Sequence, residues 1–343
     1  MPDSHLMDTA RMTSRNKLGI VVIGRNEGER LKACLAKLPN GPTTVYVDSG
    51  SHDGSLEFAR GRGVDTISLT SDKPFTAARG RNAGIYRLLE RHPGLEFIQT
   101  VDGDCLIDDH WLEKGVAALE AHPTAGVVFG SLREVNPDGS LYNYLCDRSW
   151  NAPVGEAESC GGIAMHRIAA IRPAGGFDET LIAGEESDLC LKIRKDGWSV
   201  LSIDAEMGLH DAAILEFGQW RRRMRRTGYA YAEHVARNGK ASLPGWKRQV
   251  LRFSFWGLAL PLFIMIAAFA LFFANRSLLW LAAPLSLYPL QFFRIWMRER
   301  RKSRYAIRIA LLTVYEKFAE LAGAIQFLTR SITRKRSKII EYK

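Results

Sequence analysis

The sequence predicts an α/β domain with a mostly parallel sheet, followed by membrane-associated helices. Two observations carry this prediction. Between residues 17 and 203, short β-branched apolar runs alternate with amphipathic helical segments, which is typical of a doubly wound sheet with right-handed crossovers. Further along, the stretch 253–274 holds 22 residues without a formal charge, long enough to cross the core of a bilayer as a helix.

The predicted strands are short apolar runs that end in glycine- or aspartate-rich loops. They cover residues 17–23, 43–47, 64–69, 97–101, 126–132 and 197–203. Amphipathic helices are predicted between them, at residues 31–38, 56–62, 75–91, 109–122 and 185–194. Because the carboxyl ends of parallel strands meet at one edge of a sheet, the polar loops should converge on a single crevice.

The loop after the fourth predicted strand, Asp102-Gly103-Asp104, holds two carboxylates separated by one glycine. Two such charges repel each other, and a hard cation between them and a diphosphate would relieve the repulsion. A solvated aspartate–glycine turn is the alternative interpretation of this loop taken alone. The other motifs of the chain favour the cation.

The 343-residue chain carries a net charge of +10, with 46% hydrophobic residues, and its length suits about two domains. Its basic residues concentrate in three C-terminal clusters, within residues 221–226, 294–304 and 330–338. Such clusters favour a polyanionic partner, either nucleic acid or an anionic membrane face. The apolar stretches between them favour membrane lipids, so no nucleic acid is predicted as a partner.

The cysteines and the N-terminus indicate a cytosolic catalytic region. The five cysteines are scattered and lack C-x-x-C spacing, which is typical of reduced thiols and not of a disulfide framework or a zinc site. Residues 1–16 are polar and contain no apolar signal-peptide core, so they are predicted to be a disordered leader.

Seven short motifs occur in a fixed order along the predicted α/β domain. They are Asn26-Glu27, Asp48-Ser49-Gly50-Ser51-His52-Asp53-Gly54, Arg81-Asn82-Ala83-Gly84, Asp102-Gly103-Asp104, Gly161-Gly162, Gly175-Gly176-Phe177-Asp178 and Gly184-Glu185-Glu186-Ser187-Asp188-Leu189, with His210 after them. Over residues 17–235 the chain thereby resembles glycosyltransferase family 2, a family of inverting enzymes whose catalytic domain has the GT-A fold.

The resemblance implies a nucleotide-sugar donor (UDP-, GDP- or dTDP-linked) and Mg²⁺ or Mn²⁺ on its diphosphate. The donor-binding residues that it implies are Gly24, Arg25, Glu27 and Asp48 around the base, Arg81 near the base or diphosphate, and Asp102 at the ribose or the cation. The cation ligands that it implies are Asp104, Asp102 and His210. On the acceptor side it implies Gly161, Gly162 and Asp188. Trp150 and Trp220 are candidates for stacking on a sugar, although large aromatic side chains are more often core residues.

Glu186 stands where the family has its general base, usually an aspartate. One carboxylate suffices to take the proton of the attacking hydroxyl, and such catalysis contributes about 10²–10⁴-fold. Glu185 lies beside it, and close like charges raise one of the two pKa values. Which of the two is the base stays open, and acidic residues in a first helical turn also complement the helix dipole. The Q-x-x-R-W element of processive synthases is absent, which favours transfer of a single sugar.

A second apolar stretch, 278–293, has 16 residues and two prolines, fewer than the ~20 residues of a usual membrane span. Basic clusters at both outer ends of the pair predict a hairpin with both ends cytoplasmic, either spanning or re-entrant. A buried hairpin of a soluble domain is the alternative. Residues 305–332 are predicted to form an amphipathic helix, on the membrane or on the catalytic domain, and the basic tail 333–343 to bind anionic headgroups.

The predicted organisation is a leader (1–16), a catalytic domain (17–240), a membrane hairpin (253–293), an amphipathic helix (305–332) and a basic tail (333–343). The predicted enzyme sits on the inner (cytoplasmic) membrane and faces the cytoplasm. It transfers a sugar to an acceptor, a lipid-linked saccharide of surface polysaccharide synthesis. The alternatives are a transferase acting on polyprenyl phosphate and a non-catalytic membrane protein that binds nucleotide sugars.

Overall fold

The computed structural model describes residues 17–39, 41 and 43–333. The predicted leader, and the predicted basic tail after Thr333, lie outside these residues. The chain consists of two compact units, and the boundary along the sequence falls between Leu215 and Glu216. This division falls earlier than the predicted end of the catalytic domain at residue 240, because the helix after Glu216 packs on the C-terminal helices.

The first unit contains nine strands in the described part of the chain. They are β1 (Leu18–Gly24), β2 (Thr44–Asp48), β3 (Asp65–Ser68), β4 (Phe97–Asp102), β5 (Cys105–Ile107), β6 (Ala125–Glu134), β7 (Gly155–Glu156), β8 (Ala164–Arg167) and β9 (Ser199–His210). Its helices are α1 (Glu29–Lys37), α2 (Ser55–Gly61), α3 (Ala77–Arg91), α4 (Trp111–Ala121), α5 (Leu141–Ser149), α6 (Ile168–Ile171) and α7 (Glu185–Lys195).

The strands form one mixed sheet in the order β3-β2-β1-β4-β8-β6-β9-β5, with β7 on β9. Strands β3, β2, β1 and β4 are parallel, as are β6 and β9. The predicted α/β class with a mostly parallel sheet is therefore confirmed. Strands β5, β7 and β8 are antiparallel to their neighbours and were not predicted as strands. Each has four residues or fewer, too few for an alternating pattern to be seen.

Helix α3 lies close to the first two strands, because glycines replace side chains at the contact. A Cβ added at Gly84 would collide with Val21 of β1, and one at Gly80 would fall 3.1 Å from the side chain of Ile23. The side chain of Thr76 caps the helix by accepting a hydrogen bond from the backbone N–H of Arg79. This close packing brings the first turns of α3 to the carboxyl edge of the sheet.

The second unit is helical throughout its described part. Its helices are α8 (Phe217–Asn238), α9 (Pro244–Ser254), α10 (Leu260–Phe273), α11 (Ala282–Glu299) and α12 (Ala306–Thr333). A π-helical turn joins α9 to α10, so that Pro244–Phe273 is one helix of 30 residues. Both this helix and Leu278–Glu299, of 22 residues, are long and apolar enough to cross a membrane, and only 6% and 11% of their most apolar windows are buried.

Helix α12 matches the predicted amphipathic helix within one residue at each end. Its inner face packs closely on α8, since a Cβ at Gly228 or Gly323 would collide with the backbone of the other helix. A stripe of exposed apolar side chains runs along its outer face: Ile307, Leu311, Phe318, Ile325, Leu328 and Ile332. Trp220 of α8 is buried and packs near Phe217 and Tyr315, as expected of a core aromatic.

Candidate active site

The polar loops predicted to converge do meet at the carboxyl edge of the sheet. In the pairing of β1 with its neighbours, Gly24 is opposite Asp48 of β2, and Ile23 is opposite Asp102 of β4. The backbone N–H of Gly103 donates a hydrogen bond to the carbonyl of Ile23 (2.8 Å). The ends of three strands therefore lie side by side, as a ligand site at the edge of an α/β sheet requires.

Asp48 is buried beneath the loop that follows it. One carboxylate oxygen accepts hydrogen bonds from the N–H groups of Gly50 and Ser51 (both 2.9 Å), and the other accepts from the hydroxyl of Tyr46 (3.0 Å). The side-chain oxygen of Asn26 accepts from the N–H of His52 (2.8 Å) and links this loop to the one after β1. Asp48 thus shapes the wall of the crevice, in the manner of an Asx-turn.

Two further donor-side candidates flank the same loop. Arg25 is exposed, and its guanidinium lies 5.5 Å from the ring centroid of Phe75. The carboxylate of Glu27 is paired with Arg30 at 2.8 Å. Both residues follow Gly24, which ends β1 opposite Asp48 of β2.

Arg81 occupies the centre of a buried charge cluster. Its Nη2 lies 2.9 Å from Asp102, and its Nη1 lies 2.8 Å from Glu185 and 3.1 Å from Glu186. The side chain is only 2% exposed, and its guanidinium also lies 5.5 Å from the ring centroid of Phe177. The sequence assigned Arg81 to the base or diphosphate of the donor. In the structure it holds the carboxylate of β4 next to those of α7.

Glu185 and Glu186 differ in their access to solvent. The side chain of Glu185 is 4% exposed and that of Glu186 is 19% exposed. Helix α7 starts after Gly184, whose positive φ of 81° turns the chain into the helix. Burial, and then the charge of Glu185, raise the pKa of Glu186 to about 7, while Arg81 acts in the opposite direction. Glu186 is therefore the better placed of the two to exchange a proton near neutral pH.

Gly162 lies directly against this cluster. A Cβ at this position would fall 2.5 Å from both Nη2 of Arg81 and a carboxylate oxygen of Asp102, whereas one at Gly161 would meet no atom within 4 Å. The carbonyl of Gly162 accepts a hydrogen bond from Thr100 of β4 (2.9 Å). The loop before β8 therefore lies close to the cluster at a position that has no room for a side chain.

We expect Gly162→Ala to lower kcat/KM by about a hundredfold, because the new methyl group displaces Arg81 and Asp102 and misplacement of reacting groups by ~1 Å has effects of this size. Gly94→Ala is the control, because a Cβ added at Gly94, which lies outside the site, would meet no atom within 4 Å, and it should remain close to the parent protein. The measurement is steady-state nucleotide release, with thermal unfolding to establish folding. Equal activity of the two variants would show that the close packing at Gly162 does not affect catalysis.

Asp104, Cys105 and His210 form a candidate cation site, with one donor atom from each lying within 4.8 Å of the others. Nε2 of His210 is 3.6 Å from Oδ1 of Asp104, and the thiol of Cys105 donates a weak hydrogen bond to the same oxygen (3.3 Å). Carboxylate and imidazole suit Mn²⁺, and carboxylate alone suits Mg²⁺. The site fits such a cation, although Asp102 is not in this group because it binds Arg81.

The candidate cation site is brought together by a pair of strands that was not predicted. Strand β5 runs antiparallel to β9, and Cys105 is directly opposite His210. The sequence did not single out Cys105, and the only signal for it is its position next to Asp104.

Trp150 was considered only as a sugar contact, and its ring lies edge-on to His210 with 4.5 Å between centroids. Asp188, assigned to the acceptor side, is buried and pairs with Lys192 of its own helix at 2.8 Å.

Several known proteins are similar to this chain. The Glycosyl transferase family 2 model matches residues 19–154. Glycosyltransferase AglE of Haloferax volcanii is 26% identical over 225 residues, which are 62% of this chain and 71% of AglE. Succinoglycan biosynthesis protein ExoA of Rhizobium meliloti is 25% identical over 221 residues, which are 58% of this chain and 64% of ExoA.

Among solved structures, a similar one is the mannosyltransferase PcManGT from Pyrobaculum calidifontis in complex with GDP-Man and Mn²⁺. It has a TM-score of 0.59 and 20% sequence identity, over 91% of this chain and 87% of that one. This likeness supports the GT-A fold. The family match and the relatives show that the chain is similar to glycosyltransferases, and to family 2 over residues 19–154.

Proposed function

We propose that the protein transfers one sugar, with inversion at its anomeric carbon, from a nucleotide sugar to a lipid-linked saccharide at the cytoplasmic face of the membrane. The observation that carries this proposal is the bridge made by Arg81. It holds Asp102, on the donor side, within one charge cluster with Glu185 and Glu186. A donor-side carboxylate and a candidate base thereby face one crevice, as a direct displacement needs.

The donor is proposed to lie along the ends of β1, β2 and β4. Gly24, Arg25, Glu27 and the loop shaped by Asp48 would border the base, and Asp102 would reach the ribose. Asp104 and His210 would hold Mg²⁺ or Mn²⁺ beside the diphosphate. When bound, the cation supplies Lewis-acid stabilisation of the charge that develops on the leaving nucleoside diphosphate. The complex of PcManGT with GDP-Man and Mn²⁺ supports this class of donor and cation.

The acceptor is proposed to enter beside Gly161 and Gly162, toward the first turn of α7. Glu186 would take the proton of the attacking hydroxyl as the bond to the anomeric carbon forms and the bond to the diphosphate breaks. Glu185 would pair with Arg81 and fix the orientation of this turn. Asp188, on the same helix, would border the acceptor side.

The second unit is proposed to hold the enzyme on the inner membrane. Its two apolar helices are almost wholly exposed, and basic residues flank the outer end of each. By the positive-inside rule both outer ends face the cytoplasm, which is where nucleotide sugars are available. The exposed stripe of α12 would lie in the interface. The name of ExoA, a succinoglycan biosynthesis protein, supports a role in the synthesis of surface polysaccharide.

The test is a donor screen with full-length protein in detergent. UDP-, GDP- and dTDP-sugars are each incubated with Mg²⁺ or Mn²⁺ and with a membrane lipid extract, and release of the nucleoside diphosphate is measured. We expect one donor to be turned over with a divalent cation, faster with the extract than without it, and radiolabelled sugar to enter the lipid fraction. Turnover that is equal in EDTA, or label that stays outside the lipid, would contradict the proposal.

A further inference from the structure

A buried network that contains no predicted site residue lies next to the candidate cation site. Glu134, the last residue of β6, is 3% exposed, and Asn143 of α5 is 2% exposed. In the parallel pairing of β6 with β9, Glu134 is directly opposite His210. The N–H of Val135 donates to the carbonyl of His210 (3.1 Å), which joins the two strand ends at this point.

Glu134 accepts hydrogen bonds from three different segments. Oε2 accepts from the backbone N–H of Ala212 (3.1 Å), two residues after His210. Oε1 accepts from the backbone N–H of Asn136 and from the side-chain amide of Asn143, both at 3.3 Å. A buried carboxylate with several N–H donors is well satisfied, and replacing it leaves those donors without an acceptor.

Asn143 and Ser140 of the neighbouring helix start hold the chain a little further on. The side-chain oxygen of Asn143 accepts from the N–H of Ile214 (3.0 Å), and the hydroxyl of Ser140 donates to the carbonyl of the same residue (2.5 Å). Between these anchors, Ala213 has a positive φ of 48°, a conformation that a residue with a Cβ adopts only when its surroundings impose it. The backbone that follows His210 is thus held on both sides of a strained residue.

The same segment is joined to the other cation ligand. The N–H of Asp211 donates to the backbone carbonyl of Asp104 (3.0 Å), and the imidazole of His210 approaches the carboxylate of Asp104 at 3.6 Å. A shift of residues 211–214 would therefore move both ligands relative to each other. Groups that orient metal ligands from behind are worth about 10–100-fold in metal affinity.

We propose that Glu134 and Asn143 are positioning residues for the cation site: by anchoring the backbone of residues 212–214, they hold His210 at the distance from Asp104 that a divalent cation requires. This inference rests on the proposed cation site at Asp104 and His210. It adds two residues, from β6 and α5, that neither touch the cation nor belong to the motifs of the sequence.

The test measures Mn²⁺ binding to the full-length protein in detergent, from the electron paramagnetic resonance signal of free Mn²⁺, without donor or turnover. Glu134→Gln keeps the shape of the side chain but puts an amide against N–H donors, and we expect it to weaken Mn²⁺ binding about tenfold. Glu134→Asp keeps the charge but is one methylene shorter, and we expect a smaller loss. Arg167→Lys is the stability control and should bind Mn²⁺ as the parent does. It loosens the hydrogen bonds of Arg167 to the carbonyls of Leu119 and Ala125, at the ends of the strands that lie away from the cation site.

A double-mutant cycle separates positioning from a general loss of stability. In a His210→Ala background, Glu134→Gln should have no further effect on Mn²⁺ affinity, because the ligand that it positions is gone. Equal losses in both backgrounds, or unchanged affinity in both Glu134 variants, would overturn the inference and leave the cation site standing. Failure of the parent protein itself to bind Mn²⁺ would overturn the cation site and the inference with it.

Discussion

Asp104→Ala should reduce sugar transfer by about a thousandfold and remove Mn²⁺ binding. A Lewis acid at the leaving group contributes several kcal/mol of transition-state stabilisation, and each ~1.4 kcal/mol corresponds to a tenfold change in rate. Asp104 is 6% exposed and is the only aspartate in the candidate group of cation ligands found in the described residues. Nucleotide release and the signal of free Mn²⁺, measured on the same preparations, check the two effects together.

The matched control is Asp109→Ala, five residues further along. Its carboxylate is 67% exposed and pairs with Lys37 at the surface, so its removal should leave both measurements near those of the parent. If Asp104→Ala retains parental turnover while remaining folded, the cation does not act through this residue. If it retains Mn²⁺ binding and loses turnover, the residue serves the donor and not the cation.

Asp102 and Asp104 stand one residue apart, yet the structure gives them different partners. Asp102 binds Arg81 at 2.9 Å, whereas Asp104 approaches His210 at 3.6 Å. The resemblance assigned Asp104 to the cation and Asp102 to the ribose or the cation. The chain turns between them, and each side chain reaches a different neighbour. Asp102 is therefore better suited to the ribose, with its charge already balanced by a guanidinium.

The fold was largely predictable, because its signals are local. The segments that form β1, β2 and β4 are continuous apolar runs, which predict buried strands. The polar loops that follow them predict which edge of the sheet binds ligands. The antiparallel strand β8 has four residues between a glycine loop and a short helix, and nothing within four residues distinguishes a strand from a loop. The second apolar helix was predicted too short, because its apolar run stops at Phe293, while the helix continues through charged residues to Glu299.

The candidate site was predictable in composition but not in its contacts. Arg81 was recognised within a motif, but its partners Glu185 and Glu186 lie more than a hundred residues away, and no local pattern reports a pairing at that distance. Cys105 was overlooked for the same reason, since its approach to His210 depends on the pairing of β5 with β9. The spacing of motifs in the sequence does not predict which of several buried carboxylates will pair with a given arginine side chain.

The second large effect is expected for Glu186→Gln, which should lower kcat by about 10²–10⁴-fold, the range of a lost general base. The amide keeps the shape of the side chain and can still contact Arg81, but it cannot accept the proton of the acceptor hydroxyl. Glu185→Gln is the comparison. If Glu185 only holds Arg81, its loss should cost less, and the rise of the rate should move to lower pH because the charge of Glu185 no longer raises the pKa of Glu186. A transferase acting on polyprenyl phosphate, whose acceptor is already anionic, would instead remain active in the Glu186 variant.

The pH dependence tests the same assignment from a second direction. The pKa of Glu186 is raised from 4.5 to about 7 by burial and by Glu185, and the base acts only when ionised. The rate of the parent should therefore rise with pH up to about 7 and then level off, and the residual rate of Glu186→Gln should lack this rise. A parent profile that stays flat from pH 5 to 8 would exclude Glu186 as the base.

Stability should change in the opposite sense to activity. The unfolded chain releases the proton of Glu186 near pH 4.5, while the folded chain retains it up to about pH 7, so the folded state loses relative stability as pH rises between these values. Glu186→Gln removes that cost, and Arg81 keeps Asp102 and Glu185 as partners. The variant should thus unfold at a higher temperature relative to the parent at pH 8 than at pH 5. A variant that is inactive yet gains stability in this window has lost its base and not its fold.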